Sequence, residues 1–172
     1  MIELPTVDKQ SDERQMLLAF LNYQRAVFER KCGAVADPNG RLTVQPSDLS
    51  VGGLVKHLAF VESYWSSYIV AGEDPQPPWA DAPWDDDPDW ELTSGASDSM
   101  VDNIELYRAS RTAADAIYDR VKLDDLTARS TSADDADLAS VRWVLLHLIE
   151  EYARHNGHAD YLCQAIDGAT GD

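Results

Sequence analysis

Apolar residues recur every three or four positions in four long stretches of the sequence, and polar and apolar residues alternate convincingly nowhere. This spacing places apolar side chains on one face of an α-helix, whereas alternation would indicate strands. The stretches cover roughly residues 12–32, 51–71, 97–120 and 138–166. A chain of 172 residues can bury one core. The pattern therefore predicts a single domain over residues 1–172, folded as an all-α four-helix bundle.

Capping residues mark where two of these helices begin and where one ends. Ser11 or Asp12 precedes the first helix and Ser50 precedes the second, and both are favoured N-cap residue types. Gly33 follows the first helix, and glycine permits the left-handed conformation that often ends a helix.

The segment between the second and third helices, residues 73–92, follows neither the helical nor the strand period. It contains five prolines, three tryptophans and many aspartates. Because disordered segments are usually poor in aromatic residues, the tryptophans favour an ordered loop. Such a segment can span more than about 30 Å, the length of a bundle helix. It can therefore form a long crossover, which would make the second and fourth helices antiparallel.

Histidine is rare in the chain but is concentrated on two predicted helices. Three of the four histidines lie between residues 147 and 158, and the fourth, His57, lies on the second helix. At about 100° per residue, the fourth helix carries a stripe roughly 80° wide. The stripe consists of His147, Glu151, His155 and His158.

The antiparallel arrangement selects which of these side chains could share a metal ion. His147 and His155 are separated by roughly 12 Å of helical rise, so one ion cannot bind both. His57 should face the later part of the fourth helix, near His155 and His158, with Glu151 one turn away. Two imidazoles and a carboxylate form a catalytic zinc set, although imidazole also suits iron or nickel.

Two histidines of the stripe have other expected roles. His158 either orients a ligand or replaces Glu151 as the third ligand. We expect His147 to be structural, packed near Trp143.

The charge balance excludes several classes of partner. The chain has 14 lysines and arginines against 31 aspartates and glutamates, a net charge of −17. Such a charge repels nucleic acids and anionic membrane surfaces. The N-terminus lacks the pattern of a signal peptide, and Cys32 and Cys163 lie too far apart in sequence to form a cysteine motif. We therefore expect a cytoplasmic protein.

Two stretches resemble the ligand-bearing helices of the DinB-like metal-binding four-helix bundles. They are Leu-Ser-Val-Gly-Gly-Leu-Val-Lys-His57 and Leu-Leu-His-Leu-Ile-Glu-Glu-Tyr-Ala-Arg-His155-Asn-Gly-His158. Within that superfamily the chain is similar to a branch related to mycothiol-dependent maleylpyruvate isomerase. The resemblance implies a long crossover and a divalent metal, most often zinc, held by His57, Glu151 and His155. It also places His158 beside the ligands, in an orienting role.

The resemblance also implies an activity and partners. The expected function is a metal-dependent thiol S-transferase, in which a low-molecular-weight thiol such as mycothiol attacks a small electrophile. Arg25 and Arg154 are candidates for binding anionic substrate groups, and the alternative for each is a solvated arginine on the surface. A homodimer is expected. A non-catalytic, stress-related bundle that binds a metal or small ligand remains the alternative. A third reading is a structural bundle whose histidines fill polar core positions.

Overall fold

The computed structural model describes residues 2–131 and 137–168, and within these residues the secondary structure is helical, with two isolated β-bridges. The α-helices are α1 Glu13–Cys32, α2 Asp37–Gly40, α3 Val51–Ser63, α4 Trp90–Ser97, α5 Met100–Tyr118 and α6 Val141–Asp167. A π-helical turn, Tyr64–Val70, continues α3, and a 3₁₀ turn covers Trp79–Asp81. The predicted all-α bundle is confirmed, with α1, α3, α5 and α6 as its four long members.

Side-chain caps set the starts of all four long helices. Asp12 accepts a hydrogen bond from the backbone N–H of Gln15, and Ser50 accepts one from Gly53, as predicted. Ser99 and Ser140 cap α5 and α6 in the same way. Gly33 ends α1 with a right-handed φ of −67°, so it does not use the left-handed freedom of glycine. Among the described residues, the left-handed glycines are Gly72, with a φ of 70° just beyond the π-helical turn, and Gly168, with a φ of 77° at the end of α6.

Contacts between helices establish their directions. Lys56, near the start of α3, pairs with Asp98 just before α5, and Ser63 near the end of α3 bonds to Ser110 within α5, so these helices are parallel. A parallel pair requires the long connection between them to cross the bundle. On the other side of α3, His57 lies against His155 and Trp65 lies against His147. Helices α3 and α6 are therefore antiparallel, as the length of the connection predicted.

The proline- and tryptophan-rich segment is ordered, as predicted, but it ends in a helix that the sequence pattern did not reveal. Trp79 is buried, and the indole N–H of Trp84 donates to the Trp79 carbonyl oxygen at 3.0 Å. Helix α4 then follows, and the predicted third helix begins after it, at Met100 rather than near residue 97. An eight-residue helix with glycine in its interior carries too little periodicity to be recognised.

Helix α4 crosses α3 at very close range because glycines face each other. A Cβ atom on Gly95 would lie 2.7 Å from the carbonyl oxygen of Gly52, and one on Gly52 would lie 2.5 Å from that of Gly95. Side chains at these positions would force the helices apart. The close approach brings Glu91, in the first turn of α4, against α3.

A buried ion pair links the long helices at the centre of the bundle. Arg25 of α1 donates two hydrogen bonds to Glu62 of α3, at 2.6 and 2.5 Å, and both side chains are fully buried. Tyr152 of α6 donates to the same carboxylate at 2.6 Å and bonds Tyr107 of α5 at 3.1 Å. Arg25 also bonds Asp115 of α5 at 2.6 Å. All four long helices therefore meet in one polar network.

We expect Glu62→Ala to lower the free energy of unfolding by about 3–5 kcal/mol, because it leaves a guanidinium buried without its main partner. Urea unfolding followed by circular dichroism measures the change. The matched control is Glu73→Ala, which removes the exposed Arg120–Glu73 pair and should cost about 1 kcal/mol or less. Equal effects of the two variants would show that the buried network does not stabilise the bundle.

Candidate metal centre

The three predicted ligand residues come together between α3 and α6. His57, Glu151 and His155 each offer one donor atom, and these atoms lie within 4.8 Å of one another. The Oε1 atom of Glu151 lies 3.5 Å from His57 Nε2 and 3.1 Å from His155 Nε2. Packing of the antiparallel helices brings the three side chains together. Glu151 and His155 lie one turn apart on α6, and His57 lies on α3.

The three donor atoms suit a divalent cation. Donors bound tetrahedrally at about 2.1 Å from zinc are separated by roughly 3.4 Å, close to the two distances measured from Glu151. His57 Nε2 is buried and has no hydrogen-bond partner among the described residues. A buried nitrogen without a partner destabilises the folded protein unless a cation or a hydrogen-bond donor meets its lone pair. The unpartnered His57 nitrogen and the spacing of the three donor atoms therefore fit a bound metal ion.

Glu91 of α4 supports His57 from behind, and sequence reasoning missed it. Its Oε1 atom lies 3.0 Å from His57 Nδ1, and its side chain is buried. A proton on Nδ1 that is donated to this carboxylate leaves the lone pair on Nε2, directed towards Glu151. Carboxylates commonly orient metal-binding histidines in this way. No spacing signal could have identified Glu91, because its helix is short and its register against α3 depends on tertiary packing.

His158 contacts the other side of the centre. Its Nδ1 atom lies 3.3 Å from His155 Nδ1, while His155 Nε2 faces Glu151. His158 is outside the group of three converging donor atoms. His158 thus lies beside a candidate ligand, and its expected orienting role stays a prediction.

Arg154 holds the second oxygen of the central carboxylate. It donates to Glu151 Oε2 at 2.7 Å and to Glu150 at 2.9 Å, and half of its side chain is exposed. Burial alone would raise the pKa of Glu151, but His155 and Arg154 lie against the carboxylate and the net effect lowers the pKa. Glu151 therefore remains ionised, with Oε1 directed at the two imidazoles.

His147 and Arg25 lie outside the centre. The His147 ring stacks on Trp143, with centroids 5.2 Å apart and planes 4° apart, and it also contacts Trp65. These contacts agree with the structural role expected from the sequence. The expectation that Arg25 could bind substrate is wrong, because its side chain is fully buried on Glu62. The sequence pattern of an amphipathic helix predicts an exposed arginine, because it does not reveal a buried partner on another helix.

In the metal-free protein, we expect the His155 imidazole to remain neutral well below pH 6.5, where an exposed imidazole takes up a proton. Burial and the neighbouring His57 lower its pKa from 6.5 to about 4. The unfolded chain takes up a proton on this ring as the pH falls through 6.5, whereas the folded chain does not. The resulting stability is present above pH 6.5 and is lost as the pH falls towards about 4.

NMR titration of the histidine ring protons, with the urea-unfolded chain as the reference, measures this pKa. A His155 midpoint near 6.5 in the folded, metal-free protein would contradict the expected burial.

Comparisons with known proteins place the chain in a family. No curated protein is significantly similar to it in sequence. A solved structure, described as the conserved protein of locus from Enterococcus faecalis, matches with a TM-score of 0.69 and 16% identity, over 93% of this chain and 100% of that one. That likeness supports the fold alone. The model of the mycothiol-S-transferase family matches residues 16–168. The chain therefore belongs to the mycothiol-S-transferase family, a DinB-like family.

Proposed function

We propose that the protein is a metal-dependent S-transferase that joins a low-molecular-weight thiol of the mycothiol type to a small electrophile. Membership of the mycothiol-S-transferase family supports a thiol partner. The observation that carries the metal-dependent part is His57 Nε2, a buried nitrogen without a hydrogen-bond partner among the described residues, 3.5 Å from Glu151 Oε1.

In this proposal His57, Glu151 and His155 hold the ion, and zinc is the best candidate because two imidazoles and one carboxylate form a catalytic zinc set. Nickel and iron share a preference for imidazole. A bound ion of this kind would supply Lewis acidity, which favours the thiolate form of a coordinated thiol at neutral pH. Three protein ligands leave a coordination position for that thiol.

The protein's own residues prepare the site for this chemistry. Glu91 keeps the proton on His57 Nδ1, so that Nε2 is free to bind. The ligand side chains are only 11–18% exposed, which limits the access of water. Arg154 is half exposed beside Glu151 and supplies a cation for an anionic group of the thiol or electrophile. His158 helps to orient the His155 ring through their shared hydrogen bond.

Metal content of the purified protein tests the ligand set. We expect His57→Ala and His155→Ala each to lose the ion, measured by plasma mass spectrometry after purification without chelators. Glu91→Gln should still bind the ion but about 10- to 100-fold more weakly, because the hydrogen bond between Glu91 and His57 Nδ1 orients this ligand. The matched control is His147→Ala, which removes a histidine of the same helix that stacks on Trp143.

Retention of the ion by all four variants, or its loss from all four, would contradict the assignment of ligands. A trace metal content in the unmodified protein would favour a purely structural bundle.

Thiol conjugation tests the reaction. We expect the metal-loaded protein to conjugate a model electrophile with mycothiol faster than with bacillithiol or glutathione, measured by loss of free thiol. His155→Ala should abolish the acceleration, whereas His147→Ala should retain it. Metal binding without turnover of any of the three thiols would sink the transferase proposal and favour a non-catalytic binder.

The proposal includes a homodimer in the reducing cytoplasm. Cys32 and Cys163 are free thiols that hydrogen-bond each other without forming a disulfide, which fits that compartment. Light scattering coupled to gel filtration measures the molar mass, and a monomer at micromolar concentration would contradict the dimer.

Among the described residues, no helix is both long and apolar enough to cross a bilayer.

A further inference from the structure

A concave surface, which we call the aromatic groove, lies between the π-helical turn, the segment at residues 73–84 and α5. Its volume is about 640 Å³, within the range of small-molecule sites. Its aromatic lining residues are Phe60, Tyr64, Tyr68, Trp79 and Trp84. None of the three candidate metal ligands lines it, so the groove is separate from the metal centre.

The aromatic rings of the groove hold one another in place. The Phe60 centroid lies 5.3 Å from that of Trp79, 5.0 Å from that of Trp84 and 5.6 Å from that of Tyr64. The hydrogen bond from the Trp84 indole to the Trp79 carbonyl fixes the wall formed by the loop. A site whose walls are already packed in this way loses little conformational entropy on binding.

The π-helical turn shapes the opposite wall. The backbone N–H of Ala71 reaches the carbonyl of Ser66, five residues earlier, which widens the helix at this point. Tyr64 and Tyr68 stack within the turn, with centroids 5.6 Å apart and planes 23° apart. Such widened turns within helices frequently occur at functional sites, because they redirect side chains that an α-helix would place elsewhere.

The electrostatics of the groove favour a positive ligand. Glu73 and Asp74 are its only charged lining residues among those described, and both are acidic. The faces of aromatic rings also carry partial negative charge. With a net charge of −17 on the chain, an anion entering this groove would be repelled.

Cations of the chain already use the edge of the groove. The guanidinium carbon of Arg129 lies 3.9 Å from the Tyr68 centroid, and Arg129 pairs with Asp74 at 2.9 Å. Arg120 pairs with Glu73 at 2.9 Å. The Asp74 side chain is 88% exposed, and those of Glu73 and Arg120 are more than half exposed. The Arg120–Glu73 pair is exposed on both sides and is therefore weak, so a ligand cation can compete for Glu73.

We propose that the aromatic groove binds a small organic cation with apolar substituents, such as an alkylated ammonium. The ring faces contact the alkyl groups through cation–π attraction, and the Glu73 carboxylate at the rim balances the charge. This site is independent of the metal centre and of the transferase reaction.

A matched pair of ligands tests the charge requirement. Choline and 3,3-dimethyl-1-butanol have the same shape, but only choline carries a positive charge. In NMR titrations of the labelled full chain, choline should shift the indole signals of Trp79 and Trp84 and should bind roughly tenfold more tightly than the alcohol. Equal affinities, or shifts only at residues outside the groove, would overturn the proposal.

Two alanines of α5 provide a steric test. Ala109 lines the groove, whereas Ala116 is exposed on the same helix and does not line it. Ala109→Trp should abolish the shifts caused by choline, and Ala116→Trp should leave them unchanged. Unaltered binding by the Ala109 variant would place choline elsewhere and overturn the proposal.

The two partners of one surface ion pair separate charge recognition from a change in folding. Glu73→Gln should weaken choline binding, because it removes a carboxylate from the groove. Arg120→Gln should strengthen binding, because it frees that carboxylate from its partner. Changes in the same direction would contradict the proposed role of the carboxylate.

Groove signals that change with protein concentration alone would identify a dimer contact and overturn the proposal.

Discussion

The buried pair of Arg25 and Glu62 is the interaction on which the arrangement of the bundle depends. Its carboxylate receives hydrogen bonds from α1 and α6, and its guanidinium reaches α5. A buried charge strongly disfavours any register in which its partner is displaced. Tyr152, which bonds Glu62, is adjacent to Glu151 in sequence, and Glu62 lies five residues beyond His57. The network that aligns α3 with α6 therefore also aligns the two halves of the candidate metal centre.

The glycine contact between α3 and α4 has a comparable role on the other side of α3. Gly52 and Gly95 allow the two backbones to approach closely, and Glu91 consequently reaches His57 Nδ1. Without the carboxylate, either ring nitrogen of His57 could carry the proton. The centre thus depends on two different contacts: a buried ion pair that sets helix register and a close crossing that sets the orientation of one imidazole.

The proline- and tryptophan-rich segment connects the candidate metal centre with the aromatic groove. Trp79 and Trp84 line the groove, and Trp90, which contacts both rings, immediately precedes Glu91. One ordered segment therefore forms a wall of the groove and leads into the helix that supports His57. The chemistry at the two places differs, because converging lone pairs favour a metal ion, whereas ring faces with rim carboxylates favour an organic cation.

Local residue patterns were sufficient to predict the long helices, the N-cap at Ser50, an N-cap at Ser11 or Asp12, and the spacing of Glu151 and His155. Together with the length of one loop, they also predicted that His57 would face the later part of the fourth helix, because helix rise and chain reach are nearly independent of sequence context. Tertiary structure alone decided the burial of Arg25, the existence of α4 and the approach of Glu91. Each of these depends on a partner distant in sequence, and a local pattern carries no information about such a partner until the helices have packed.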